Sequence, residues 1–391
     1  MDRVFTGLEN LMDSPPSFVR GKRLGLLCNP ASVDRNFKHA RELINSKFPG
    51  QLKALYSPQH GFFSEKQDNM IESENIIDPL LKIPVFSLYG KTRVPAKEML
   101  DPVDILIIDL QDVGTRVYTF IYTMSHCLDA AKIFGKKAVI LDRPNPIGGQ
   151  NVEGNCLLPE FASFVGRYPI PMRHGLTTGE LALLFNDHFG IGCDLEVVPM
   201  KGWTRAMYFN DTGLPWIPPS PNLPTPISAI VYPGQVILEG TNISEGRGTT
   251  QPFEIFGAPY IDTEKIISSL GGCKLPGAVL RPLVFEPTSN KCAKEPCKGF
   301  QIHLTDPYEY KPYLSALKLL HAVHLSHPEE FRWKSPPYEY EFEKLPVDLI
   351  TGNPMIRNAI EGADKIDEIE KTWHDELEEY LNISSKYHLY A

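Results

Sequence analysis

An unbroken apolar run between Asp104 and Asp109 is the feature that most constrains what this chain can fold into. The run, residues 105–108, is typical of a strand that is covered on both faces. Other predicted strands are 23–28, 52–56, 85–88, 137–142 and 195–198, and predicted helices are 37–46, 118–134 and 180–189. The last helix opens with a capping box, in which Thr177 is the N-cap and Glu180 is N3. This alternation of strands and helices predicts an α/β fold with a doubly wound parallel sheet.

A proline-dense segment, WIPPSPNLPTP at residues 216–226, interrupts this pattern because it cannot form regular structure. We expect a domain boundary there, with one domain at 1–222 and a second at 223–391. The second half contains predicted strands at 229–238 and 299–304 and predicted helices at 308–325 and 355–380. This mixture predicts a smaller α+β domain.

Charge and composition exclude several classes of protein. The net charge of −9 disfavours a nucleic-acid partner, which normally needs a basic face. No apolar run reaches the roughly 18 residues of a membrane span, and the acidic N-terminus does not resemble a secretory signal. Seven scattered cysteines favour free thiols in a cytoplasmic protein over a metal site. We therefore expect a cytoplasmic protein without membrane contact, and the sequence leaves its oligomeric state open.

Polar side chains follow each of the first five predicted strands. In an open α/β sheet, ligands bind beyond the carboxyl ends of the strands, so these residues are the first candidates for a site. No phosphate-binding loop, dinucleotide fingerprint, nucleophile elbow or zinc-protease motif is present, and we expect neither a cofactor nor a bound metal. The candidates at the strand ends are Asn29, Gln59, His60, Glu65, Tyr89, Gln111, Asp112, Arg116, Tyr118, Arg143 and Asn145.

Structural roles are an alternative for several of these residues. Asp109 and Asp112 flank a turn that their carboxylates could cap. Arg116 and Arg143 could simply neutralise neighbouring aspartates, and His60 could be a turn residue that bonds to backbone. A second polar cluster favours a functional site, because a glycine-bearing stretch at 239–250 follows a predicted strand and contains two carboxylates and an arginine.

Eight sequence blocks, taken together and in order, carry a family resemblance. They are SPQHGFFSEKQD, LYGKTRVP, DLQDVGTRVYTF, LDRPNPIGG, PIPMRHGLTTGELA, WIPPSPNLPT, YPGQVILEGTNISEGRGTTQPFEIFGAP and the closing YHLY. Across nearly its whole length the chain resembles the NamZ-like exo-β-N-acetylmuramidases. The resemblance implies a Rossmann-like N-terminal domain, a smaller C-terminal domain and an active cleft between them. It also implies hydrolysis of terminal, non-reducing N-acetylmuramic acid from peptidoglycan fragments, as part of cell-wall recycling.

The chain departs from the family at one position. Where many members have P-E-H-G, with the glutamate as a leading catalytic candidate, this chain has Gln59, and an amide cannot act as a general acid. Either the acid role has moved, for which Glu65 is our first candidate, or the chain cleaves a different sugar, or it no longer cleaves. The alternative function is a non-catalytic protein that binds amino sugars or muropeptides.

Glycoside hydrolysis normally needs an acid at the leaving oxygen and a base or nucleophile opposite, although an acetamido sugar can supply its own nucleophile. The candidate carboxylates are Glu65, Asp112, Glu239 and Glu245, with His60 beside them. An arginine could bind the lactyl carboxylate of muramic acid through two hydrogen bonds. The residues expected to bind substrate are Asn29, Gln59, Tyr89, Gln111, Arg116, Tyr118, Arg143, Asn145, Arg173, His174, Asn222, Asn242, Glu245 and Arg247.

Overall fold

The computed structural model describes residues 3–68, 70–362 and 366–391, with residue 367 described by its backbone alone. Within this part of the chain, the strands in order are Leu24–Cys28 (β1), Leu52–Ser57 (β2), Ile76–Ile77 (β3), Pro84–Ser87 (β4), Ile105–Asp109 (β5), Lys137–Leu141 (β6), Glu153–Cys156 (β7), Pro171–Arg173 (β8), Asp194–Val198 (β9), Ile255–Ala258 (β10), Lys274–Leu275 (β11), Ala278–Phe285 (β12) and Cys297–Leu304 (β13).

The α-helices of the same described ranges are Gly7–Asp13 (α1), Ala40–Lys47 (α2), Lys97–Leu100 (α3), Phe120–Ile133 (α4), Thr178–Asp187 (α5), Pro226–Gln235 (α6), Thr263–Leu270 (α7), Pro312–Ser326 (α8), Pro346–Thr351 (α9), Pro354–Glu361 (α10), Ile369–Thr372 (α11) and His374–Ser384 (α12). None of the described helices is long and apolar enough to cross a membrane.

The main sheet has the strand order β3-β4-β2-β1-β5-β6-β9, and every neighbouring pair is parallel except β3 with β4. Each residue of β1 and β5 is buried, as the apolar run at 105–108 predicts. The chain builds the sheet outward from β1 on one side and then from β5 on the other. The order in which strands are added therefore reverses between β1 and β5, although the two strands are parallel. Open α/β sheets bind ligands in the crevice at such a reversal.

The second sheet is smaller and antiparallel, with the order β10-β13-β12-β11. Together the two sheets confirm the predicted α/β fold with a mostly parallel, Rossmann-like sheet and a smaller α+β region after it. The boundary at residue 222 stays a prediction. The capping box at the start of α5 is present, since the Thr177 hydroxyl accepts from the Glu180 amide and the Glu180 carboxylate accepts from the Thr177 amide.

Two expectations for the second half are wrong. Residues 229–238 are helical rather than extended: α6 runs from Pro226 to Gln235 and a 3₁₀ turn continues over Val236–Gly240. The single helix expected at 355–380 is a set of separate helices, α10, α11 and α12, and its stretch 363–365 lies outside the described residues. Proline explains part of the first error, because Thr225 caps α6 and Pro226 occupies its first turn, where a missing amide hydrogen costs nothing.

Candidate functional site

A pocket lies where the loops after β2 and β5 meet the second half of the chain. The proline-rich segment, α6, the 3₁₀ turn after it and a tight hairpin at 338–341 complete its walls. Its lining residues are Gln59, His60, Val117, Tyr118, Thr119, Phe120, Val165, Ser220, Asn222, Leu223, Tyr232, Glu239, Arg247, Phe253, Tyr338 and Glu339. The strand-end prediction therefore finds part of this wall, and the remainder comes from segments distant in sequence.

Gln59 occupies the floor of the pocket and is hydrogen-bonded at both ends of its amide. Its Oε1 accepts from the Thr119 hydroxyl at 2.8 Å, and its Nε2 donates to Glu339 Oε1 at 3.2 Å. The other carboxylate oxygen of Glu339 accepts from the Tyr89 hydroxyl at 2.7 Å. Glu339 is 4% exposed. Burial raises the pKa of Glu339, the hydrogen bonds from Tyr89 and Gln59 oppose that rise, and the nearby Glu239 adds to it.

A second buried carboxylate, Glu239, faces the same pocket and is paired with a cation. Its Oε1 lies 2.7 Å from an Arg247 nitrogen, and its Oε2 accepts from the Tyr338 hydroxyl at 2.8 Å. Arg247 lies 3.6 Å from Glu245, and Lys291 lies 2.7 Å from Glu245. Although burial opposes it, the charges of Glu239 and Glu245 raise the pKa of Arg247, so the guanidinium remains charged. The charges of two carboxylates, Glu239 and Glu245, are thus balanced by two cations, Arg247 and Lys291, at one side of the pocket.

His60 is a turn residue that also lines the pocket. Its φ is +77°, and its Nδ1 lies 2.7 Å from the carbonyl oxygen of Lys66. Because a carbonyl only accepts hydrogen bonds, Nδ1 carries the hydrogen and Nε2 has the free lone pair. Burial lowers the pKa of His60 to about 4, although the bond to Lys66 opposes the shift. The ring is therefore a neutral hydrogen-bond acceptor near pH 7.

Asp112 and His174 form a buried pair outside the lining residues. Asp112 Oδ2 accepts from the Gly114 amide at 2.7 Å and lies 3.2 Å from His174 Nε2. His174 Nδ1 accepts from the Leu176 amide, so Nε2 is the nitrogen that donates to Asp112. Among the described residues, Asp112 Oδ1 has no hydrogen-bond partner. The pair supports the loop behind the pocket, and the catalytic role expected for Asp112 stays a prediction.

Three arginines predicted to bind substrate lie elsewhere. Arg116 is fully buried and donates to four backbone carbonyls, two of which belong to α9. Arg143 forms an ion pair with Asp109 at 2.5 Å, as the alternative reading of the sequence allows. Arg173 lines a separate cavity with Glu153 and donates to the Tyr208 hydroxyl at 3.0 Å. Of the four candidate arginines, only Arg247 is brought to the pocket.

Most of the amide side chains predicted to bind sugar are hydrogen-bonded to the backbone of other segments. Asn29 donates to the Pro219 carbonyl, Gln111 to those of Asp112 and Pro144, and Asn145 to that of Leu176. Asn242 donates to the Glu330 carbonyl and accepts from the Tyr260 hydroxyl and the Arg332 amide. Asn222 differs, because it lines the pocket while it donates to the Gln67 carbonyl.

Glu65, our first candidate for the acid, is exposed and does not line the pocket. Its carboxylate folds back over Gly61 and accepts from the Phe63 amide at 3.2 Å. Its catalytic role stays a prediction, and the geometry does not favour it.

Sequence reasoning missed Tyr338 and Glu339, which bring a carboxyl group to Gln59 from 280 positions away. They lie in the hairpin at 338–341, which is closed by a pair of backbone hydrogen bonds between Tyr338 and Glu341. The motif YEYE alternates tyrosine and glutamate over only four residues and contains no glycine, so the sequence does not distinguish it from a surface loop. Within the described ranges, no group of three or more His, Cys, Asp or Glu side chains is arranged to hold a metal ion.

The fold defines an α/β protein whose main sheet is mostly parallel, with a pocket beyond the carboxyl ends of its strands. A family model described as exo-beta-N-acetylmuramidase NamZ, N-terminal, matches residues 24–227, and its C-terminal counterpart matches residues 230–390. The chain therefore belongs to the NamZ exo-β-N-acetylmuramidase family, which confirms the resemblance carried by its motifs.

Individual relatives agree with this assignment. The chain is 43% identical over 388 residues to the peptidoglycan beta-N-acetylmuramidase NamZ of Bacillus subtilis strain 168, a match that covers 99% of this chain and 92% of the relative. Two crystal structures of DUF1343 family proteins from Bacteroides fragilis are also similar. One has a TM-score of 0.89 at 34% identity and the other 0.79 at 30%, and both matches cover 100% of this chain and 99% of theirs.

Proposed function

We propose that this protein is an exo-acting glycoside hydrolase that removes terminal, non-reducing N-acetylmuramic acid from peptidoglycan fragments. The observation that carries the proposal is the pair of buried carboxylates, Glu239 and Glu339, that line one pocket in a chain of this family. Hydrolysis of a glycosidic bond needs one carboxyl that donates a proton and one carboxylate that stabilises charge or acts as a base or nucleophile. Different environments give such a pair different ionisation states.

The remaining lining groups suit an acidic amino sugar. Among the described residues, Arg247 Nε has no hydrogen-bond partner, so the guanidinium keeps a donor for the lactyl carboxylate of muramic acid. His60 Nε2 offers an acceptor to a sugar hydroxyl, and the rings of Tyr232 and Phe253, which meet edge to face at 4.8 Å, offer an apolar wall. The pocket encloses about 30 Å³, which is space for water molecules only, so a sugar can enter only if the walls of the pocket move apart.

The alternative, a sugar-binding protein without catalysis, rests on Gln59 alone. It is not favoured, because the pocket keeps two carboxylates without residue 59 and the curated relative is named as a muramidase. A cytoplasmic location and a part in cell-wall recycling belong to the proposal as well. All seven cysteines are free, and free thiols are typical of a reducing compartment.

The proposal is tested with two chromogenic β-glycosides that share one leaving group. One contains N-acetylmuramic acid, and its matched control contains N-acetylglucosamine, which lacks the lactyl carboxylate. We expect release of the chromophore from the muramic acid substrate, and a kcat/KM at least about tenfold lower for the control, since Arg247 then has no carboxylate to bind. Tight binding of the muramic acid substrate without release would favour the non-catalytic alternative and contradict the proposal.

A further inference from the structure

An amide and a carboxyl group lie side by side in the pocket. Gln59 Nε2 is 3.2 Å from Glu339 Oε1, and both side chains line the pocket. The amide is fixed in orientation, because its oxygen accepts from the Thr119 hydroxyl. Its NH₂ group is therefore directed at Glu339, which is the hydrogen-bond arrangement of a positioning residue.

We propose that Glu339 is the catalytic acid of this enzyme and that Gln59 and Tyr89 position its carboxyl group. This inference rests on the proposed function. In the step it describes, the bond between the anomeric carbon and the leaving oxygen breaks, the electron pair stays on that oxygen, and the Glu339 proton joins it. Water then gives its hydroxyl to the anomeric carbon and its proton to the Glu339 carboxylate, which restores the acid, so that atoms and charge balance.

The environment of Glu339 favours the protonated form of its carboxyl group more than water does. Burial raises the pKa of Glu339. The other charged or titratable groups around it are Tyr89, Arg93, Tyr232, Tyr338 and Glu239, of which Tyr89 and Arg93 favour the charged form and Glu239 disfavours it. Glu239 itself is paired with Arg247 at 2.7 Å, so the two carboxyl groups have the unlike environments that an acid and its partner require.

The backbone around Glu339 is held in an uncommon conformation. Glu339 has a φ of +45° and Tyr340 a φ of +69°, in the left-handed region that residues with a side chain rarely adopt. The Arg93 guanidinium packs over the Tyr340 ring at 3.8 Å and over the Tyr89 ring at 5.0 Å, which fastens the hairpin to the first half of the chain. Backbone strain that surrounding contacts maintain is typical of functional sites.

An amide at position 59 suits a neighbouring acid better than a second carboxyl group would. A glutamate there would bring two carboxyl groups to about the hydrogen-bond distance now seen between Gln59 and Glu339, and like charges at that distance cannot both ionise. The amide avoids this conflict and leaves Glu339 as the one titratable group of the Gln59–Glu339 contact.

The test uses Glu339→Gln with two muramic acid substrates that differ in their leaving groups. One carries a nitrophenyl group, which leaves without a proton, and the other is a disaccharide whose sugar alkoxide needs one. We expect kcat on the disaccharide to fall about 10²- to 10⁴-fold, a much smaller loss on the nitrophenyl substrate, and disappearance of the basic limb of the pH profile. The matched control is Glu343→Gln, an exposed glutamate of the same segment, with wild-type kinetics expected.

The outcomes separate this inference from the proposed function. No release by the wild-type protein from either substrate contradicts the function itself. Release by the wild type together with full turnover by Glu339→Gln, or loss in Glu65→Gln instead, overturns the assignment of the acid. If Glu339→Gln does not fold, Tyr89→Phe decides: loss of the hydroxyl that stabilises the charged carboxylate should move the basic limb to higher pH, and an unmoved limb contradicts the inference.

Discussion

At the scale of single residues, the pair formed by Arg143 and Asp109 shows how polar side chains at a strand end are used. Arg143 Nε and one of its terminal nitrogens donate to the two oxygens of Asp109 at 2.5 and 2.9 Å. The Asp109 side chain has no exposure and that of Arg143 has 5%. The pair lies inside the protein, where removal of one partner leaves an uncompensated charge.

We expect Arg143→Ala to lower the free energy of unfolding by about 3–5 kcal/mol, measured by urea denaturation, because Asp109 then stays buried without its cation. The control is Arg23→Ala, which breaks an ion pair whose side chains are 50% and 36% exposed, and its effect should be much smaller. If Arg143→Ala retains full stability and instead raises KM, Arg143 binds substrate as the sequence predicts.

The same residues show how far the sequence predicts a site. The rule that ligands bind beyond strand ends finds Gln59, His60 and Tyr118, because a parallel sheet brings these ends to one edge. The rule does not show which of these side chains are instead bonded inside the protein. Arg143 is paired with Asp109, and Asn145 donates to the Leu176 carbonyl. The rule also cannot find Glu339, whose approach depends on the packing of a hairpin from the far end of the chain.

At the scale of elements, α6 shows why one prediction failed. Residues 229–238 are rich in β-branched residues, which favour strands in isolation. The helix instead packs on α8 at very close range, since a Cβ atom at Gly234 would lie 2.0 Å from the Pro312 carbonyl oxygen. Burial against another helix outweighed local propensity, and the N-terminal signal of Thr225 and Pro226 was the cue that the sequence offered.

The contact between β7 and α8 contains a buried carboxylate. Glu153 Oε1 accepts from the Leu314 amide at 2.8 Å, in the first turn of α8. Burial raises the pKa of Glu153 from its ordinary 4.5 to about 7, although Leu314 and Arg173 oppose the shift. Below pH 4.5 the folded and unfolded states are both protonated. Above about pH 7 the carboxyl group is ionised in both states, but only the folded state buries the charge. This group therefore makes the protein less stable as pH rises from 4.5 to about 7.

We therefore expect Glu153→Gln to gain stability relative to the wild type as pH rises from 5 to 8, by up to about 3 kcal/mol, because glutamine keeps an acceptor and stays neutral. Urea denaturation at several pH values measures the difference. Glu309→Gln, an exposed glutamate that lines the same cavity, should show no such trend. Parallel stability curves for Glu153→Gln and the wild type would contradict the pKa assigned to Glu153.

At the scale of the whole molecule, the C-terminal residues return to the main sheet. The Tyr390 hydroxyl donates to Asp142 Oδ2 at 2.6 Å and accepts from the Met200 amide at 2.8 Å. The Leu389 amide donates to Glu180, and the Ala391 carbonyl accepts from the Arg205 amide. The closing YHLY block is recognisable as a family motif, yet its partners lie about 190–250 positions away, so its role emerges only from the fold.

This closure predicts that one hydroxyl contributes to the stability of the entire chain. Burial raises the pKa of Asp142 to about 6, so at pH 8 its carboxylate is charged and accepts a strong hydrogen bond from Tyr390. We expect Tyr390→Phe to lower the free energy of unfolding at pH 8 by about 1.5–3 kcal/mol, since a buried charge loses a donor. Tyr387→Phe is the matched control, because its hydroxyl donates to Asp187 at 2.6 Å on the exposed surface and should matter less. Equal losses of stability in the two variants would contradict this prediction, because the buried bond of Tyr390 would then contribute no more than the surface bond of Tyr387.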